Sequence, residues 1–331
     1  MLSLINPTHL AMQPQLVLDG QGEERLLLVM KGSFELDGEV LRPTYAAVVL
    51  ADQYRGDPAS TSLVAASEVV LFKPLPDLLL SGHAFPEERG GTTGAVSFRV
   101  GNWSKDALVF GDRVWMRGVT GLHPSAPQPF ERIPLVYERA FGGADLARTS
   151  PLGCPENPVG VGMVDCRSGG PVPNLEHPRH RLSAAGDRPP SRAFGPIPPH
   201  WQPRRSFHGT FDADWQRTRM PLPPLDADPR AAQVAPPDQV LPHALEGGEP
   251  VEIRGVRQDG RWLRFHVPRL RVRVTVHDGR CVRELPTALD TLHVDADALR
   301  LDLTWRAHVS VHDGIDNLAW VRIDAEEAPH G

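Results

Sequence analysis

The sequence predicts a mainly β protein: two antiparallel β-rich lobes, sandwiches or partly closed barrels, joined by an ordered proline-rich segment with few short helices. Three observations predict it. Apolar and polar residues alternate with period two near both ends of the chain, the pattern of a strand with one buried face. Clusters of Gly, Pro and Asp separate short apolar runs, as in antiparallel β-proteins. Finally, 20 of the 34 prolines lie between positions 151 and 250. There they remove ladder donors and disfavour helix in the residue before each of them.

A chain of 331 residues, 40% of them hydrophobic, has room for two ordinary domains, each with its own core. The expected division is an N-terminal β-rich lobe over 1–150, a crossing segment with a short helix over 151–250, and an antiparallel β-lobe over 251–331. In the first lobe Leu26 to Phe34, Asp77 to Leu80, Leu108 to Phe110 and Ile133 to Tyr137 are candidate strands. Val96, Phe98 and Val100 alternate there with Ser97 and Arg99. The crossing segment carries Phe194, Trp201, Phe207, Phe211 and Trp215, whereas flexible linkers are poor in aromatics. Order across the β-core is therefore expected, with one helix around Asp212 to Arg219. In the last lobe Leu270, Val272, Val274 and Val276 face one way and Arg271, Arg273, Thr275 and His277 the other, and Asp278-Gly279 turns the chain. Leu299, Leu301, Leu303 and Trp305 repeat the pattern against Arg300, Asp302, Thr304 and Arg306, and Leu318 to Ile323 supplies a last strand. A sheet with one wet face follows.

Charge and cysteine usage narrow the function classes. Asp and Glu number 41 against 35 Lys and Arg, so a phosphate backbone is a poor partner and no nucleic acid is expected. Lysine occurs only at Lys31, Lys73 and Lys105; the arginine bias is that of GC-rich coding and carries no chemistry. The opening Met1-Leu2-Ser3-Leu4-Ile5-Asn6-Pro7 lacks the basic start and cleavage site of a secretory signal. No apolar run approaches the roughly 20 residues that span a bilayer, so no membrane partner is expected. Cys154, Cys166 and Cys281 fit no disulfide framework, and reduced thiols in the cytoplasm are expected.

The common nucleophile-elbow, Walker, HExxH and GxGxxG signatures are absent from the sequence. His177-Pro178-Arg179-His180 spaces two imidazoles by three, but Pro178 breaks the helix that would aim both at a metal. Cys154 and Cys166 have no CxxC partner and read as small hydrophobes. Glu138 and Arg139, ahead of Phe141-Gly142-Gly143, match a carboxylate base beside an anion site. A charge pair fixing a strand end before a glycine turn explains them more simply. No catalytic residue, metal or cofactor is therefore expected.

Several uncommon strings then occur in one order along nearly the whole chain. They include Leu4-Ile5-Asn6-Pro7-Thr8, Lys31-Gly32-Ser33-Phe34, Ala51-Asp52-Gln53-Tyr54, Phe72-Lys73-Pro74 and Phe110-Gly111-Asp112-Arg113-Val114-Trp115. Downstream come Tyr137-Glu138-Arg139-Ala140-Phe141-Gly142-Gly143, Asn157-Pro158-Val159-Gly160, Pro173-Asn174-Leu175-Glu176, Pro236-Pro237-Asp238-Gln239 and Gly247-Gly248-Glu249-Pro250. Together they resemble a bacterial domain-of-unknown-function family encoded beside the spike proteins VgrG and PAAR in type VI secretion loci. The resemblance implies a cytoplasmic adaptor or chaperone that binds an effector and helps load it on the spike, with no established catalytic site. A hydrolase with a site between the lobes, or a sugar-binding β-module, are the alternative classes. The candidate protein contact is Phe194, Pro196, Pro198, Pro199 and Trp201, a preordered backbone with an aromatic at each end. The competing reading makes Phe194 and Trp201 core plugs. Tyr137, Glu138, Arg139, Phe141, Gly142 and Gly143 are expected to be structural.

Overall fold

The computed structural model describes residues 2–119, 121–145, 152–164, 166–311 and 314–327. It is mainly β, and among the described residues the several sheets include none closed into a barrel. The largest sheet runs in the order Ala11–Leu18, Glu24–Asp37, Arg300–Ser310, Ala288–Asp295, Asp77–Ser81, with Val40–Thr44 also paired to Glu24–Asp37. A second sheet orders Leu175–Glu176, Trp103–Phe110, Thr93–Val100, Pro250–Arg254 and Leu263–His266. A third orders Ser3–Ile5, Trp320–Glu327, Leu270–His277 and Val282–Leu285.

All three sheets therefore draw strands from both outer parts of the chain. Arg300–Ser310 pairs with Glu24–Asp37 over eleven residues in register, Arg300 opposite Glu35 to Ser310 opposite Arg25. Thr93–Val100 pairs with Pro250–Arg254. One hydrophobic cluster then joins residues of all three sheets, from Leu28 and Leu303 through Phe98 and Ile253 to Val274 and Ile323. The expected boundary at 150/151 falls outside the described residues.

Most expected strands are found, and the exceptions have physical reasons. Ile133–Pro134 is a strand, but the chain turns into a short 3-10 helix over Tyr137–Arg139 instead of continuing; Pro134 offers no N–H to extend a ladder. Leu270–His277 has the expected half-exposed polar face. Arg300–Ser310 does not, for Asp302, Thr304 and Arg306 are all buried. The chain around Glu68 lies across that face and completes its hydrogen bonds. Thr304 Oγ1 and Lys31 Nζ donate to the Glu68 carboxylate at 2.9 and 3.1 Å, and Arg306 Nη2 donates to its carbonyl at 2.8 Å. Ser33 Oγ donates to Asp302 at 2.6 Å, and Arg306 pairs with buried Asp290. Alternation located the strand correctly, but it does not say whether the polar face meets water or another layer of protein.

The proline-rich stretch contains the expected helix at Ala213–Thr218, capped by the Asp212 carboxylate accepting from Trp215 N at 2.8 Å, an ordinary N-cap. Elsewhere this stretch carries Phe194, Ile197, Trp201, Leu241 and Leu245 into the main core. Its main chain is held by Leu80 N of the sheet, which donates to Phe194 O, and by its own Gln239 Nε2, which donates to the carbonyls of Leu78 and Phe194 at 2.7 and 2.8 Å. Among the described residues no helix is long and apolar enough to cross a membrane.

Candidate functional site

An open cleft of about 820 Å³ lies between four separated pieces of chain: 153–156, 188–193, 202–203 and 236–238. Pro155, Pro189, Pro190, Pro203, Pro236 and Pro237 line it, with Phe141, Met163 and Ile197 adding apolar surface. Proline rings present rigid apolar walls with no donors.

Polar groups meet at one end. Lys105, from the middle of Trp103–Phe110, is buried, and its Nζ donates to Asp238 Oδ1 at 2.9 Å and to Gln239 Oε1 at 2.7 Å. The second oxygen of Asp238 accepts from Arg192 Nη1 at 2.6 Å, and Arg192 Nε donates to Asp106 O at 2.8 Å. Burial pulls the Lys105 ammonium down to about 8, against the attraction of Asp238 and with the help of Arg192. His177 is likewise lowered by burial and by the nearby Arg192 and His180. Elsewhere in the lining Cys154 Sγ donates to Glu156 Oε2 at 3.4 Å. Burial, with Glu156 adding to it, pushes that thiol up to about 11, so it stays protonated at neutral pH and is a weak nucleophile.

The lysine gives a testable pH dependence. Its folded value of about 8 lies below its ordinary 10.5, so between those values the unfolded chain holds more of this proton than the folded one. Stability from this group therefore rises with pH across that window, and the penalty of burying the charge is complete only below it. Denaturant melts of the wild type and Lys105→Met are expected to diverge in favour of the wild type from about pH 8 to pH 10, the interval set by these two values. A difference that stays flat would mean that the amine keeps its ordinary affinity for protons.

The expected structural motif forms one side of this region. The Tyr137 ring meets Trp201 edge-on at 5.3 Å, and its hydroxyl donates to Gly195 O at 3.2 Å. Phe141 packs with Trp115, Val172 and Leu182 in a separate small cluster. Asn157 is fully buried, and its Nδ2 donates to the carbonyls of Tyr137 and Phe141 at 2.9 and 3.0 Å. A side chain at Gly142 would bring Cβ within 2.2 Å of Asn157 O, and Gly143 has a φ of +113°; both positions require glycine. Glu138 and Arg139 each fix a different segment. Glu138 accepts from Ser62 N and Oγ at 2.7 and 2.8 Å, whereas Arg139 reaches Asp112 and Asn174.

The candidate contact segment is corrected by burial. Phe194 is 0% exposed and Trp201 2%, Pro196 and Pro198 are buried, and Pro199 is half-buried. Side chains already packed into the β-core offer a partner no anchor, so the core-plug reading of Phe194 and Trp201 is the one the structure supports. The imidazoles of His177 and His180 lie 4.8 Å apart between centroids. Among the described residues no group of three or more His, Cys, Asp or Glu is arranged to hold a metal.

Sequence reasoning missed Lys105, Arg192 and Asp238 as a unit, since Lys105 and Asp238 are 133 positions apart. A usable signal was present. In a chain so biased to arginine, all three lysines turn out to be buried beside a carboxylate: Lys31 by Glu68, Lys73 by Asp77, Lys105 by Asp238.

A family model described as an uncharacterized protein conserved in bacteria, DUF2169, matches residues 21–306. No curated protein and no solved structure matches the chain.

Proposed function

The chain belongs to the bacterial DUF2169 family, and from that premise we propose that it acts by binding other proteins, as a cytoplasmic adaptor or chaperone for a type VI secretion effector. In this reading it holds the effector in a loadable state and helps seat it on the VgrG and PAAR spike. The observation that carries the reading is the proline-walled cleft, with its buried charge cluster at one end. Rigid apolar walls lose little entropy when a partner segment enters, and a few fixed polar groups give it register. The protonated Cys154 thiol favours binding over covalent chemistry at this site.

Deleting the gene is expected to abolish delivery of one genetically linked effector while the tube protein and other effectors are still secreted. Secretion assays on each protein decide it. Loss of all secretion would instead mark a core part of the machine, and unchanged delivery of every linked effector would refute the adaptor role.

A further inference from the structure

We infer that the cleft selects an acidic, extended peptide segment, seating a carboxylate of the incoming chain against Arg192 and Lys105. The inference rests on the protein-binding reading above and adds the chemistry of the segment recognised.

Charge within the cleft is unbalanced. Its lining carries three permanent or mainly cationic side chains, Lys105, Arg188 and Arg192, against two carboxylates, Glu156 and Asp238. Asp238 serves both Lys105 and Arg192, one with each oxygen, and Asp106 is a second carboxylate near Arg192. Glu156 accepts from Cys154. The lining thus carries one more cation than carboxylates, with Lys105 among its buried groups, where a cation is costly.

Donors remain for an incoming anion. Arg192 uses Nε on Asp106 O and Nη1 on Asp238, which leaves its Nη2 without an acceptor among the described residues. Lys105 spends two of its three N–H groups on Asp238 and Gln239, and its Nζ lies 5.2 Å from the centre of the Phe194 ring. A carboxylate here would gain charge-assisted hydrogen bonds and relieve the desolvated ammonium.

The rest of the cleft favours a peptide over a small acid. The walls present proline rings from four chain segments, with Phe141, Met163 and Ile197. Its volume of about 820 Å³ accommodates several side chains flanking one acidic residue. Extended peptides meet such surfaces through alternate side chains.

The test uses the full-length protein and a random twelve-residue peptide library displayed on phage. Three variants accompany the wild type: Arg192→Gln, Arg188→Gln on the exposed rim, and Pro190→Trp, which fills the cleft from an exposed position. Thermal melts establish that each is folded, and Arg188→Gln decides the charge question if Arg192→Gln is not. The expected result is enrichment of peptides with Asp or Glu among apolar residues. Their affinity should fall about tenfold or more on losing a buried charge-assisted contact, and vanish with Pro190→Trp. Peptides with no acidic preference that Pro190→Trp still blocks would overturn the acidic selection and leave the cleft as a peptide site. No enrichment, or peptides indifferent to Pro190→Trp, would overturn the inference and the role of the cleft in the proposed function together.

Discussion

Trp201→Ala is expected to remove about 3–5 kcal/mol of stability, the usual cost of truncating a fully buried aromatic, and to lower the melting temperature accordingly. Trp201 is buried against the Tyr137 ring and shares the main cluster with Phe194 and Ile197. Its backbone also starts the turn into the short helix Arg204–Phe207, since Arg205 N donates to Trp201 O at 2.8 Å. Emptying this position leaves a cavity where the crossing segment meets the β-core, and a cavity in a packed interior relaxes only in part. An interface anchor would behave oppositely, with an unchanged melt and binding weakened by roughly 2 kcal/mol or more. Denaturant melts, with pull-down of the genetically linked effector at low temperature, separate the two. A variant as stable as the wild type would contradict the core placement.

The same residue shows how far the sequence could be read. Aromatics within a proline-rich stretch argued for order, and Phe194 and Trp201 are ordered inside the core. Period-two alternation located Thr93–Val100, Leu270–His277 and Arg300–Ser310. A strand, however, reports only that its two faces differ. Whether Thr304 and Arg306 meet water or Glu68 depends on a segment more than 230 positions away, and no local pattern encodes that. Sheet membership is equally nonlocal, as Glu24–Asp37 finds its longest partner at Arg300–Ser310. The cleft was least legible, since its charged end joins side chains from positions 105, 192 and 238. Pro236-Pro237-Asp238-Gln239 was noticeable as a string, but what Asp238 does is set by a lysine on a distant strand.

Asp77→Ala is the second substitution expected to have a large effect, about 3–5 kcal/mol, because it leaves a buried ammonium without its counter-charge. Asp77 is 0% exposed, and Lys73 Nζ donates to its Oδ2 at 2.7 Å. That oxygen also accepts from Val234 N at 2.9 Å, while Lys73 donates further to Thr291 Oγ1 at 2.8 Å. One ion pair therefore ties the Asp77–Ser81 strand, the neighbouring strand Ala288–Asp295 and the crossing segment together. Sequence reading took Asp77 as the start of a strand and Lys73 as part of a recurring string, with no reason to join them. Replacing both, as Lys73→Met with Asp77→Leu, removes the stranded charge but still leaves Val234 N without its acceptor, at a cost of about 1–3 kcal/mol. The double variant is thus expected to be more stable than Asp77→Ala although it carries one more change. Equilibrium denaturation of Asp77→Leu, Lys73→Met and the double variant, alongside Asp77→Ala, closes the cycle. If Asp77→Ala proved as mild as an exposed substitution, or the double variant lost the sum of both single losses, the charge pair would not be what holds the crossing segment to this sheet.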